Sequence, residues 1–491
     1  MGYIQFLNMI PEAFLVLALI IVFVADFVLA RVQVKGHMLA ALTVGMLAVT
    51  AATCMIAQSA EAFGGMYVAT RAAQVMKAIL VVGAIIVVLM SQSWIESSAV
   101  TVKNEGEYYM LLLSTLLGMF IMTSSGSFLL FFLGLETASV PMACIVALDK
   151  WKKKSAEAAA KYVLVATFSS GIMLYGISFV YAATGTLYFT DVAEVLGDKY
   201  MFSPLSLMGL AFFFSGLAFK LSLVPFHFWT ADTYEGAPTP VTGYLSVCSK
   251  GAAAFAALVI LAKAFGPMIE YWEYMVYVLI VLSITIGNLF AIRQKELKRF
   301  MAFSSISQAG YIMLAVVGAS QPGMTSLMYY VLVYVVANMA VFTVISAVEH
   351  AYVQHPNPTY NAERTMFSVF DGLYQTNPKL AFLMTLALFS LAGIPPFAGM
   401  FSKFFVFMAA AQQGSFWAYF VVFIALINTV VSLYYYLLIV KCMYIKQTDT
   451  PLPTFQTSWS TRAALTLCTL GIVLFGICSC IYDYLFSVSA F

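Results

Sequence analysis

The sequence predicts an all-α polytopic membrane protein with about fourteen transmembrane helices. Two observations carry that prediction. Of the 491 residues, 62% are hydrophobic and only 9% charged, with a mean hydropathy of +0.93, whereas soluble domains carry about 25% charge. The apolar residues also fall in runs of about 20, the length a helix needs to cross the hydrocarbon core. This composition excludes a soluble enzyme, and a formal net charge of +2 leaves no basic footprint for nucleic acid.

In chain order the candidate spans are 11–30, 38–58, 76–93, 108–124, 127–148, 157–182, 205–229, 238–263, 270–292, 299–318, 323–348, 380–407, 414–444 and 463–485. The first apolar stretch, Phe14 to Ala30, reads as a helix that stays in the membrane rather than a cleaved signal. Only Thr123-Ser124-Ser125-Gly126-Ser127 separates the fourth span from the fifth, and Gly393-Ile394-Pro395-Pro396 interrupts the twelfth.

Lys and Arg set the orientation. Loops after odd-numbered spans hold fifteen of the 24: Arg31, Lys35, Lys103, Lys150, Lys152, Lys153, Lys154, Arg293, Lys295, Lys298, Arg299, Arg364, Lys379, Lys446 and Arg462. Loops after even-numbered spans hold four: Arg71, Lys77, Lys199 and Lys263. Both termini are therefore expected outside the cytoplasm. The runs DKWKKKS and RQKELKR face inward, as topology signals in contact with lipid headgroups.

The remaining five basic residues, Lys161, Lys220, Lys250, Lys403 and Lys441, fall inside spans. Lys441 is close enough to a helix end to snorkel. Lys161, one turn into the sixth span, could snorkel or turn inward. Lys220, Lys250 and Lys403 lie deeper, where a charge costs about 3 kcal/mol or more unless it faces water or a partner. Glu136 sits mid-span in FFLGLETASVP, while Glu12 and Asp26 are near helix ends. Burial disfavours the charged form of a lysine and a neighbouring carboxylate favours it. Lysines that gain and lose such a partner, linked by water, make a proton relay.

Breaks accompany these lysines. Pro225 cannot donate to the carbonyl of Leu221, and Pro395 and Pro396 leave those of Leu391 and Ala392 free. Such carbonyls are tolerated at membrane depth where protein or water satisfies them. His227 follows the first break by two residues. The seventh span reads Lys220 then Pro225, and the twelfth reads Pro395-Pro396 then Lys403. That reversed order, five spans apart, fits two five-helix units repeated with inverted topology.

Several segments together identify a family: FLGLE around Glu136, AAKYVLVATFSSGIMLYGISFVYAATGT, LAFKLSLVPFHFWTADTYEGAPTPVTGYLSVCSK from Leu217 to Lys250, LKRFMAFSSISQAGYIML, SLAGIPPFAGMFSKF and SLYYYLLIVKCMY. From about Tyr108 to Tyr444 the chain resembles the antiporter-like proton-pumping subunits of respiratory complex I, a family shared with Mrp-type cation/proton antiporters. Three features make it similar to the N-type members. It ends after the fourteenth span without a long lateral helix, it has Lys403 where the M type carries glutamate, and it has the DTYEGAPTPVT segment.

The resemblance implies a Glu136–Lys220 pair, a central relay at Lys250, an exit-side group at Lys403, and supporting roles for Lys161 and His227. It implies two inverted bundles, 108–263 and 270–444, flanked by helices in 1–107 and 445–491. It further implies work as the membrane part of a proton-translocating NADH:quinone oxidoreductase in a bacterial inner membrane. Partners would be a neighbouring antiporter-like subunit, small membrane subunits and, indirectly, the peripheral redox arm. No cofactor is expected in this chain; NADH, FMN, iron–sulfur clusters and quinone would belong to partner subunits. An Mrp-type antiporter subunit, an M-type paralogue and a purely structural anchor are the alternatives.

Cys478 and Cys480 form C-x-C inside an apolar helix and read as packing residues, since nothing supplies the other ligands of a zinc or iron–sulfur site. Two smaller features stay open. His350 and His355 form H-x4-H at the start of a loop running to Lys379, as surface histidines or metal ligands. Thr365 to Tyr374 is partly amphipathic and could lie on the cytoplasmic surface or against a neighbour.

Overall fold

Long apolar runs can satisfy their backbone groups in lipid only as helices, and helices dominate the computed structural model. It describes residues 3–32, 37–97, 105–149, 152–198, 203–317, 319–354, 365–448, 451–478 and 480–489. Lys35, Lys103, Lys150, Lys199, Arg364 and His355 lie outside the described residues, and with them part of the charge asymmetry and the H-x4-H pair.

Helices α1 (Ile10–Val32) and α2 (His37–Ile56) lie at one edge with much of their apolar surface exposed. Strands β1 (Ala60–Ala62) and β2 (Tyr67–Ala69), not anticipated from the sequence, pair antiparallel before α3 (Arg71–Ser97). The short turn at 124–127 does separate two helices, α4 (Glu105–Thr123) and α5 (Phe128–Val146). These pack backbone to backbone: a Cβ on Gly134 would lie 2.6 Å from the Met122 nitrogen. After α6 (Lys153–Thr184) the connection to the next span forms α7 (Phe189–Gly197), which buries Phe189, Val192 and Leu196 along one face.

The seventh span is broken into α8 (Pro204–Leu221) and α9 (Phe228–Gly236). The break falls earlier than Pro225. Ser222 adopts a left-handed conformation (φ 62°), and Leu223 N–H donates back to Ala218 O at 2.9 Å, a reverse turn that ends a helix without proline. The eighth span comprises α10 (Thr239–Tyr244), a π-helical turn at Leu245–Ser249, and α11 (Lys250–Lys263). Then come α12 (Ile269–Ile292), α13 (Leu297–Val316) and the 34-residue α14 (Gln321–Gln354). Helix α14 is the hub, packing on α3, α10, α13, α16, α17 and α19.

The segment 365–376 lies against the chain's own helices. It forms a 3-10 turn at Phe367–Phe370 and α15 (Leu373–Thr376). Phe367 meets Phe300 of α13 edge-on at 5.6 Å, and Gly372 N–H donates to Cys442 O at 3.1 Å. The twelfth span is two half-length pieces, α16 (Pro378–Ala392) and α17 (Ala398–Ala411). Gly393 (φ 89°) and the Ile394 N–H to Phe389 O bond of 3.0 Å repeat the turn seen at Ser222 and Leu223. Val224–Pro225 and Pro395–Pro396 are both cis. The chain continues through α18 (Phe416–Tyr444), α19 (Trp459–Ile477) and α20 (Cys480–Val488). The last expected span is thus divided at Cys478 and Cys480, which flank a helix break instead of sharing a helix.

Among the described residues twelve helices are long and apolar enough to cross a membrane. Helix α13 is not among them. It matches the span expected at 299–318, but Ser304, Ser305, Ser307 and Gln308 lower its hydropathy although it is buried on all sides.

Candidate functional site

The three deep lysines are all enclosed, and among the described residues none touches a carboxylate. Lys220, near the end of α8, is 4% exposed and donates to Ser139 Oγ on α5 at 2.8 Å. Glu136 stands one turn before Ser139, on the same helix face. It is half-buried, and its Oε1 has no hydrogen-bond partner. The expected Glu136–Lys220 contact is therefore open in this structure, with a hydroxyl in the carboxylate's place.

Lys250 opens α11 directly after the π-helical turn, a local widening common at functional sites. Asn338 of α14 pins that turn by donating to Ser246 Oγ at 2.8 Å. Lys250 donates to Ser305 Oγ at 2.7 Å, and its ammonium lies 5.5 Å from the centre of the Tyr234 ring. Tyr234 Oη is 3.3 Å from the same Ser305 hydroxyl.

Lys403, on α17, reaches back across the break and donates to Ala392 O at 3.0 Å, with the Tyr311 ring at 5.0 Å. A cation at a helix C-terminus is favourably placed. The carbonyls expected to be free at this break are satisfied by the site itself, since Gln308 Nε2 approaches Leu391 O at 3.5 Å. At the first break Trp229 Nε1 caps Phe219 O at 3.1 Å.

Polar side chains of α13 and α18 fill the space between Lys250 and Lys403. Ser304 Oγ lies 2.5 Å from Tyr436 Oη, Gln308 Nε2 donates to Tyr436 Oη at 3.2 Å, and Tyr330 donates to Gln308 Oε1. Beside them Gln308, Tyr330, Tyr334, Ser390, Ser402 and Lys403 line a cavity of about 10 Å³, room for about one water. Sequence reasoning missed Ser139, Ser305, Gln308 and Tyr436. The available signal was α13 itself, a helix buried all round yet carrying a row of hydroxyls and an amide.

Lys161 and His227 are placed differently from the deep lysines. Lys161 is half-exposed and pairs with Asp232 at 2.6 Å and Glu157 at 2.7 Å. Asp232 also accepts from Arg299 at 2.7 Å, Arg299 from there reaches Glu235 at 2.8 Å, and Glu235 accepts from Lys154 at 2.9 Å. Lys154 and Arg299, read from the sequence as topology signals, are thus also members of a network tying α6, α9 and α13. His227 is buried in the first break, stacked on Phe228 at 4.6 Å, with Nδ1 unpaired.

Among the described residues no cluster of three His, Cys, Asp or Glu could hold a metal.

Residues 125–429 match the family described as NADH:quinone oxidoreductase/Mrp antiporter, TM. The chain belongs to this family. The matched span contains every residue of the lysine line from Glu136 to Lys403. Within the family its likeness is to subunit N: the NADH-quinone oxidoreductase subunit N of Phocaeicola vulgatus is 54% identical over 479 residues, 98% of either chain. A chain of respiratory complex I from Thermus thermophilus superposes with a TM-score of 0.76 at 30% identity, covering 95% of this chain and 98% of that one. A chain of the Mrp complex from Dietzia sp. DQ12-45-1b reaches 0.83 at 20% identity, covering 98% and 97%, which shows a shared fold.

Proposed function

We propose that this chain is a proton-translocating membrane subunit of a NADH:quinone oxidoreductase, of the subunit N kind, and that Glu136, Lys220, Lys250 and Lys403 carry the protons. One observation supports this most: three lysines are buried in broken or bulged helices, each bonded to a hydroxyl or carbonyl and none to a carboxylate. A purely structural anchor has no use for three such charges. Identity, rather than fold, favours subunit N over an Mrp antiporter.

Glu136 and Ser139, one turn apart on α5, offer Lys220 two alternative partners. In contact with Glu136 the ammonium would be most strongly favoured; bonded to Ser139, as here, it keeps only the carboxylate's longer-range attraction. A change of side-chain rotamer can thus convert a shift of charge elsewhere in the complex into proton uptake or release. From Lys220 the proton passes to Lys250 past Trp229 and Tyr234, where the buried hydroxyls of Ser222, Thr230 and Thr233 are unpaired and available to water. From Lys250 it continues along Ser305, Tyr436 and Gln308 to Lys403. Lys161 and His227 support the first break, Lys161 by holding α9 through Asp232.

The two matching breaks favour reading 108–263 and 270–444 as inverted five-helix units, with 1–107 and 445–491 as flanking helices and fourteen spans in all. Both termini then lie outside the cytoplasm of a bacterium whose inner membrane holds the complex. NADH, FMN, iron–sulfur clusters and quinone belong to partner subunits in this reading, with this chain lending the membrane path.

Lys220→Ala tests the assignment. It should reduce proton pumping and quinone reductase activity together while the complex still assembles, and Glu136→Gln should act alike. Normal pumping by an assembled Lys220→Ala complex would remove Lys220 from the path.

A further inference from the structure

One enclosed ion pair takes no part in the lysine line. Lys77, counted from the sequence among loop residues, is 0% exposed because α3 begins at Arg71. Its ammonium donates to Glu12 Oε1 at 2.5 Å and to Tyr67 Oη at 3.2 Å, and Tyr67 Oη donates to Glu12 Oε2 at 2.9 Å. The rings of Tyr67 and Phe120 lie 5.3 and 5.7 Å from the same nitrogen. Glu12, 3% exposed, is therefore a buried carboxylate, which its place near a helix end did not reveal.

An ion pair this enclosed adds little net stability, since desolvation offsets the attraction. What it can add is a unique position, and Tyr67 shows which one. Its backbone bridges to Ser125 in the turn between α4 and α5. On either side Val68 N–H donates to Ser124 O at 2.9 Å and Gly126 N–H to Met66 O at 2.7 Å. The same turn holds the segment before α7, through Phe128 N–H to Leu187 O at 3.0 Å and Phe189 N–H to Gly126 O at 3.1 Å. Hairpin, turn and segment form one small lid. The lid also borders a cavity of about 460 Å³ lined by Gly64, Val68, Thr123, Ser125, Tyr188 and Lys263, so packing does not locate it on that flank. Helix α5 starts inside this lid, and Glu136 and Ser139 follow about two to three turns later.

We propose that Glu12, Tyr67 and Lys77 are positioning residues, which fasten the lid and so set the register of Glu136 and Ser139 against Lys220. Removing the fastening lets the start of α5 shift, which changes how Lys220 divides its time between hydroxyl and carboxylate. The proposal rests on the relay reading above.

The test uses the whole complex reconstituted in vesicles, with protons pumped per electron measured across pH for Tyr67→Phe, Lys77→Met, Lys77→Arg and Lys220→Ala. Tyr67→Phe keeps the ion pair and removes only the hydroxyl bonds, so it carries the test if Lys77→Met fails to assemble. We expect Tyr67→Phe and Lys77→Met to move the optimum by about half a pH unit or more, and Lys77→Arg to restore it. An assembled Tyr67→Phe complex with the wild-type profile, beside an inactive Lys220→Ala, overturns the positioning role. Normal pumping by Lys220→Ala would instead overturn the relay on which it rests.

Discussion

Asp232→Asn should loosen α9 without disturbing the rest of the membrane domain. The side chain is 32% exposed and accepts from Lys161 at 2.6 Å and Arg299 at 2.7 Å, whose own side chains are 43% and 35% exposed. Solvent screens pairs this open to about 0.5–1 kcal/mol each. Asparagine keeps the shape and one acceptor but removes the charge that both cations share. The loss is then about 1–2 kcal/mol, roughly a 5–30-fold change in a local opening equilibrium. Hydrogen–deuterium exchange on the assembled complex reads this directly. Amides of 228–236 should exchange about 5–30-fold faster in the variant, with α18 as an unchanged internal control. Raising salt from about 0.05 to 0.5 M should accelerate the wild type more than the variant, because only the wild type has the full pairing to screen. Unchanged exchange at 228–236 in an assembled complex would refute the reasoning.

Three further outcomes follow from individual contacts. Gln308→Leu strands the hydroxyl of Tyr330 in a buried site, at about 1–3 kcal/mol for the unpaired group, and leaves Tyr436 with Ser304 as its partner; pumping and thermal stability should both fall, measured on the purified complex. Gly399→Ala places a Cβ against the Ser390 carbonyl, where no side chain can move aside; the two halves of the broken twelfth span must separate, and complex content on native gels should drop. Lys152→Ala removes a 58% exposed partner of Asp149; pumping should match wild type, and a large defect would contradict its placement at the surface.

Much of the fold is legible in the sequence, because lipid permits few alternatives. The chain must satisfy its backbone internally, so runs of about 20 apolar residues become helices at nearly the positions read from them. The departures share one cause. Helix α13 looked like an ordinary span although Ser304, Ser305 and Gln308 made it too polar for lipid, because its neighbours shield it on every side. Lys77 stands at the second position of the span read at 76–93 yet counts there with the preceding loop, because α3 begins earlier, at Arg71, and the lysine's partner lies 65 positions away. The break at Ser222 was credited to Pro225 because a left-handed serine leaves no mark in a pattern of hydropathy.

The sequence by itself determined that this is a membrane protein, that Lys220, Lys250 and Lys403 sit in its interior, and that two spans are broken beside them. It could do so because a charge among apolar residues is expensive wherever the chain folds, and composition records that expense locally. Only the tertiary structure decided what each lysine holds. Ser139 lies 81 positions from Lys220 and Ser305 lies 55 from Lys250, and a serine in a helix announces no partner at such distances. Glu136 therefore makes no ion-pair contact with Lys220 in this structure while a hydroxyl one turn along takes the lysine, a choice made by tertiary packing and by no local pattern.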